Sequence, residues 1–114
     1  MKKVLIVDDD DSWQNIYALA LSDQVTIIPA FTIEDGERLF FGNLDINAIV
    51  MDACVPGASP TTTPLVKKIR QTFFGPMIAA SSDSKYREIL MTAGCDYQAA
   101  KGDVARKIIE ILGL

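Results

Sequence analysis

No histidine occurs in this chain. Nucleophilic triads built on an imidazole base are therefore excluded, and zinc is deprived of its usual nitrogen ligand. Cysteine is nearly as scarce. Cys54 and Cys95 show no metal-binding spacing and read as free thiols. Basic residues are outnumbered 11 to 15, for a net charge of -4, and the pI is about 4.6. That balance argues against a nucleic-acid surface. No apolar run approaches the roughly 20 residues that span a bilayer. Lys2 and Lys3 precede an apolar run too short for a signal peptide. With no targeting signal, the cytoplasm is the expected compartment and no membrane contact is expected. The glycine patterns of dinucleotide and P-loop sites are missing, as are internal repeats, low-complexity tracts and linkers. The 114 residues read as one domain, 1–114.

What the chain does have is short apolar runs that end in acid. Lys3-Val4-Leu5-Ile6-Val7 leads into Asp8-Asp9-Asp10-Asp11, and Ala48-Ile49-Val50-Met51 leads into Asp52. Runs of this kind, closed by turn residues, read as buried parallel strands. Pro56 and Gly57 take the chain out of the sheet soon after Asp52. Both sets of carboxylates therefore stand at the carboxyl ends of strands, the edge where open α/β sheets bind ligands.

Between and beyond these runs, strand and helix signals alternate. Strand one is Lys2 to Val7. Helix one follows with Asp11 or Ser12 as N-cap and an apolar face of Trp13, Ile16, Tyr17, Ala20 and Leu21. Strand two is Val25 to Ile28, ended by Pro29. Helix two runs from Thr32, which with Asp35 resembles a capping box, to about Phe41; Gly36 weakens it and Gly42-Asn43 stops it. Strand three is Ile46 to Asp52, and Ala58 to Pro64 is a loop. Thr63 as N-cap and Pro64 at the first helical position open helix three, with Leu65, Ile69 and Phe73 inward and its end at Gly75. Strand four is Met77 to Ala80. Ser81 to Ser84 cap helix four, about Lys85 to Ala93, which Gly94 stops. Asp96 to Ala100 is a weak strand five, and helix five carries Val104, Ile108, Ile111 and Leu112 on one face. This alternation predicts βαβ units, a parallel sheet and right-handed crossovers.

Four features converge on the sheet edge: Asp8-Asp9, Asp52, Ser81 with Ser82, and Lys101. Clustered carboxylates repel and resist burial. A hard divalent ion such as Mg²⁺ relieves this while taking only one or two carboxylates and keeping several waters. Lys101 adds a movable positive charge and Ser81 a hydroxyl. A carboxylate nucleophile in such surroundings can form an acyl phosphate.

Taken in order, these residues resemble the receiver domain of two-component response regulators. The resemblance covers nearly the whole chain. It rests on Val4-Leu5-Ile6-Val7-Asp8-Asp9-Asp10, on Asp52-Ala53-Cys54-Val55-Pro56-Gly57, on Ala79-Ala80-Ser81, and on Gly94-Cys95-Asp96 with Lys101 after them. It implies a single doubly wound five-stranded parallel sheet flanked by five helices, with flavodoxin-like strand order 2-1-3-4-5. It implies that Asp52 accepts a phosphoryl group from a sensor histidine kinase or phosphotransfer protein. Asp8, Asp9, Asp52 and the backbone carbonyl of Cys54 would hold Mg²⁺, Asp9 more directly than Asp8. Ser81 and Lys101 would engage the phosphoryl oxygens. The output would pass to a downstream protein effector or a fused output domain, from a monomer or a phosphorylation-dependent dimer. Beyond self-phosphorylation and self-dephosphorylation, no enzymatic turnover is implied.

The chain departs from that pattern in four places. Gly102 follows Lys101 where proline is usual. Gln98 stands where an aromatic ring is usual, and is expected to stay toward solvent. Ser82 replaces a common alanine. The loop Ala58 to Pro64 is about two residues longer than usual, within the ordinary range of connections. Two other functions compete with phosphoacceptance. A small aspartyl-phosphate phosphatase would want a second aspartate where Cys54 stands. A degenerate receiver would act only as a protein-interaction module.

Overall fold

The computed structural model describes residues 1–114. Strands and helices alternate as β1 (Lys2–Val7), α1 (Asp11–Leu21), β2 (Val25–Ala30), α2 (Ile33–Phe41), β3 (Ile46–Asp52), α3 (Thr63–Arg70), β4 (Met77–Ala80), α4 (Ser84–Ala93), β5 (Tyr97–Ala99) and α5 (Val104–Leu112). A 3₁₀ turn at Lys101–Asp103 leads into α5. Every strand pairs parallel with its neighbours, in the order β2-β1-β3-β4-β5. The expected α/β class and strand order are both observed. No helix is long and apolar enough to cross a membrane.

Alternation along the strands builds a core on each face of the sheet. Leu5, Val7, Ile49, Met51, Met77 and Ala79 face one way, toward Phe40, Leu65, Ile69 and Leu90 from α2, α3 and α4. Val4, Ile6, Ala48, Val50, Ile78 and Ala80 face the other, toward Tyr17 and Leu21 of α1 and Val104 and Ile108 of α5. Both faces are covered, which explains why β1 and β3 are continuous apolar runs rather than alternating ones.

Several expected boundaries move. β2 continues through Pro29 to Ala30. β2 is an edge strand, and a residue without an N–H is tolerated there. The cap of α1 is Asp10, whose carboxylate accepts from the amides of Ser12 and Trp13 at 2.8 and 3.3 Å. Its buried stripe is Gln14, Tyr17 and Leu21, while Ile16 and Ala20 lie exposed. Thr32 caps α2 by accepting from the Asp35 amide at 3.0 Å, but Asp35 turns to Arg38 instead of closing a capping box. Gly36 is buried, and a Cβ there would stand 3.0 Å from Val7 Cγ2 and 3.2 Å from Leu65 Cδ2. The glycine that weakens the helix is what lets α2 approach the sheet.

The N-cap position of α3 falls on Thr62 rather than Thr63, without a side-chain cap, and the helix ends at Arg70, well before Gly75. The Arg70 guanidinium turns the chain there. It donates to the carbonyls of Gly94, Phe73 and Gly75 at 2.8 to 2.9 Å and pairs with the Asp96 carboxylate. Phe73 falls outside the helix but still packs edge-on against Phe40, 5.9 Å between ring centres. The cap of α4 is Asp83, which accepts from the Lys85 amide at 2.8 Å. Strand five is three residues, shorter than expected, because Asp96 is drawn to Arg70 and to the Met77 amide.

Candidate functional site

β1 and β3 end side by side and deliver their carboxylates to one place. Asp8 follows β1 at 1% exposure and Asp52 closes β3 at 4%. The turn after each strand folds onto its own acid: the Asp10 amide donates to Asp8 Oδ1 at 2.9 Å, and the Cys54 amide to Asp52 Oδ1 at 3.2 Å. Lys101, arriving from the far side of the sheet after β5, bridges the two. Its Nζ lies 3.0 Å from Asp8 Oδ2 and 3.1 Å from Asp52 Oδ2. Asp9 is the more accessible acid, and its Oδ2 accepts from the Gly57 amide at 3.4 Å. Carboxylate oxygens of Asp8, Asp9 and Asp52 all lie within 4.8 Å of one another.

Ser81 follows β4, is buried, and accepts the Asp83 amide on Oγ at 3.0 Å. Its hydroxyl therefore organises the turn into α4 but does not cap the helix. Ser81, Ser82, Asp52, Cys54 and Lys101 line a common cleft of about 290 Å³. Cys54 presents a partly exposed thiol, while Cys95 lies in the core; both are free. The Cys54 carbonyl accepts no hydrogen bond from the protein. Every sequence-predicted site residue thus falls at this edge.

Three acids against one lysine leave the site electrostatically unbalanced. Asp52 is pushed up to about 6, first by burial and then by Asp8, with Lys101 pulling the other way. Burial alone would lower Lys101. The hydrogen bond to Asp8 and the charges of Asp52 and Asp8 outweigh it, and the lysine is raised. The Cys54 thiol is raised by burial and by Asp52, which makes it a poor nucleophile. Burial, with Asp8, Asp52 and Asp10 adding to it, also raises the Tyr17 phenol. A cluster of hard oxygen donors with residual negative charge suits a divalent cation such as Mg²⁺. Asp8, Asp9 and Asp52 fit that requirement, and the Cys54 carbonyl is a further oxygen at the same edge.

Trp13 is placed to report on this cluster, because Lys101 Nζ stands 5.9 Å from its ring centre. Adding Mg²⁺ changes the charge around Lys101, so indole fluorescence is expected to change with a weak, saturable dependence on metal. Asp9→Ala is expected to abolish the response; a flat titration of the wild type would speak against the metal site.

Three contributors escape sequence reasoning. Gln14 is buried, and its amide nitrogen faces the carbonyls of Ile6, Asp8 and Ala30 at 3.0 to 3.2 Å, tying together the ends of β1 and β2. Its position three residues before Tyr17 and seven before Leu21 is the only sequence signal. Thr62 donates its hydroxyl to the backbone carbonyl of Asp52 at 2.8 Å. Arg87 donates to the Ser81 carbonyl at 2.7 Å and to Gln98 Oε1 at 3.1 Å. Nothing local in the sequence marks either.

No family model and no curated protein matches this chain. Solved structures do match, and many of them are response regulator receiver domains of the CheY-like fold. A two-component response regulator from Clostridium difficile superposes with a TM-score of 0.84 at 20% identity, covering 99% of this chain and 97% of that one. A CheY-like receiver domain protein from Methanospirillum hungatei JF-1 gives 0.81 at 21% identity, over 99% and 94% of the two chains. A response regulator from Burkholderia pseudomallei, solved with a phosphorylated aspartic acid, a calcium ion and citrate, gives 0.82 at 16% identity over 98% and 66%.

Proposed function

We propose that residues 1–114 form a receiver domain in which Asp52 accepts a phosphoryl group from a sensor histidine kinase or phosphotransfer protein. The observation that carries this reading is the convergence of Asp8, Asp9, Asp52 and Lys101 at the carboxyl edge of a receiver-type sheet. The phosphorylated aspartic acid and calcium ion of the Burkholderia pseudomallei protein support it by showing what a protein of this fold can hold. In the transfer, an Asp52 carboxylate oxygen forms a bond to phosphorus. The bond from phosphorus to the donor breaks, and the leaving group departs with its electron pair and takes up a proton. The product is an acyl phosphate. Lys101 pairs with the negative charge that gathers, and the Ser81 hydroxyl donates to a phosphoryl oxygen. Asp8, Asp9, Asp52 and the Cys54 carbonyl would hold Mg²⁺, which when bound neutralises charge on the entering phosphoryl group. The domain signals rather than turning over an external substrate. It works in the cytoplasm, as a monomer or phosphorylation-dependent dimer, on a protein effector or a fused output domain.

The test is labelling by a small phosphodonor such as phosphoramidate, read by intact mass. An adduct of one phosphoryl group that requires Mg²⁺ is expected. No adduct would leave the fold to serve as an interaction module alone.

A second expectation concerns how a phosphoryl group is felt elsewhere. Gln98 is exposed, as expected, and Arg87 holds it there through its amide oxygen. Turned inward, that amide would need a new partner, at a cost of about 1–3 kcal/mol without one. With a beryllofluoride mimic bound, amide shifts are expected at Ser81 and the start of α4, and smaller ones through β5 and α5. Large shifts throughout β5 and α5 with Gln98 turned inward would refute this.

A further inference from the structure

Thr62 occupies the cap position of α3, where a threonine normally folds its hydroxyl onto the first free amides of its own helix. Here it does not cap. The side chain is fully buried and points back to the end of β3, donating to the Asp52 carbonyl at 2.8 Å and to the Ala53 carbonyl at 3.2 Å. Its backbone carbonyl still serves the helix, accepting from the Val66 amide at 3.0 Å. The residue thus gives its backbone to α3 and its hydroxyl to the strand that carries Asp52.

The neighbouring threonine works toward the same end. The Thr61 amide donates to the Ala53 carbonyl at 2.9 Å. Its hydroxyl accepts from the Val55 amide at 2.9 Å and donates to the Val55 carbonyl at 2.8 Å. Together the pair close the base of the loop between β3 and α3. The pairing of β1 with β3 ends at Val7 with Met51, so the Asp52 carbonyl lies beyond that ladder. Asp52 remains in register with Ala80 of β4, and the Thr62 hydroxyl adds a bond to its carbonyl at this strand end. This matters because the Ala53 carbonyl, which the same hydroxyl reaches, shares its peptide plane with the Cys54 amide, and that amide holds Asp52 Oδ1.

We propose that Thr62 is a positioning residue for Asp52: its hydroxyl fixes the peptide plane that follows the acid and thereby the direction of the carboxylate. The consequence for phosphoryl transfer rests on the function proposed above. In-line attack tolerates little misplacement, and an error near 1 Å costs up to about a hundredfold. Thr62→Val keeps shape and volume but removes the donor. It is expected to slow labelling by phosphoramidate by about ten- to a hundredfold. Mg²⁺ affinity read from Trp13 should fall by less than the labelling rate, because Asp8 and Asp9 are held by other contacts while only Asp52 and the Cys54 carbonyl lose their support. Thr62→Ser, which restores the hydroxyl, is expected to recover most of the rate.

Hydrogen exchange of the Cys54 amide gives a second reading that does not depend on labelling. It should be faster in Thr62→Val and near wild type in Thr62→Ser. If valine prevents folding, Thr62→Cys, whose thiol is a weak donor, is read in the same way. Wild-type labelling rates in Thr62→Val, or equal losses in the valine and serine variants, would overturn the assignment. If the wild type takes no label at all, the phosphoacceptor reading fails by itself. Thr62 is then judged by exchange alone, and equal exchange in all variants would overturn it.

Discussion

Asp52→Asn is expected to take no phosphoryl label and yet to be more stable than the wild type at neutral pH. The two effects have one source. Asp52 is the only carboxylate at the end of β3, and the cleft it lines with Ser81 and Lys101 is where a donor can approach. Asparagine keeps the shape but cannot act as the carboxylate nucleophile. Asp8 is not a substitute, because it does not line that cleft.

The stability gain follows from what ionised Asp52 costs. Burial and the charge of Asp8 raise it to about 6, against about 3.9 in an unfolded chain. The folded state therefore binds this proton more tightly than the unfolded state does. Its favourable contribution is present when the group is protonated, and it is lost as pH rises from about 4 through about 6. A difference of that size between the folded and unfolded chains is worth at most about 2–3 kcal/mol. Asparagine has no such dependence. Urea unfolding should show the variant level with wild type near pH 4 and ahead of it by up to about 2–3 kcal/mol near pH 7. Mg²⁺ should narrow the gap, since it stabilises the wild-type cluster. Equal labelling of both proteins would end the phosphoacceptor reading. Equal stability at both pH values would show that Lys101 already balances the acid.

How much of the fold and site is legible in the sequence varies from element to element. β1 and β3 announce themselves, because strands buried on both faces must be continuously apolar, and both runs end in acid. Alternation and topology are enough to place Asp8, Asp9, Asp52, Ser81 and Lys101 at one edge. The boundaries are less legible because tertiary contacts set them. The residue pattern carries α3 on to Gly75, but the Arg70 guanidinium captures three carbonyls and ends it earlier. α1 presents Gln14 inward in place of Ile16, because β1 and β2 end with carbonyls that need a donor. No local pattern encodes that demand. Thr62 illustrates the same limit. The sequence pattern puts the cap at Thr63, and only the position of the strand end shows that Thr62 takes the cap position and sends its hydroxyl to β3.

Lys101→Met tests the remaining half of the charge balance, and its effect on stability is expected to be the largest of any single change at the site. Lys101 is the only cation paired with Asp8 and Asp52, and both acids are almost fully buried. Removing one partner of a buried ionic group while leaving the others costs about 3–5 kcal/mol. The loss should depend on pH through the acids rather than through the lysine. In the wild type, contacts with Asp8 and Asp52 raise Lys101 above its ordinary value, so its contribution is complete at neutral pH and fades only in strong alkali. In the variant nothing offsets Asp8, and Asp52 is driven higher still. Near pH 8 both carboxylates stand unpaired and the full loss is expected; near pH 5 Asp52 is protonated and much of it is recovered. Mg²⁺ should restore more stability to the variant than to the wild type, because it supplies the only positive charge left in the cluster. Denaturant unfolding at the two pH values, with and without Mg²⁺, separates these effects. A loss that is the same at both pH values and indifferent to Mg²⁺ would mean that Lys101 does not stabilise the fold through its charge on Asp8 and Asp52.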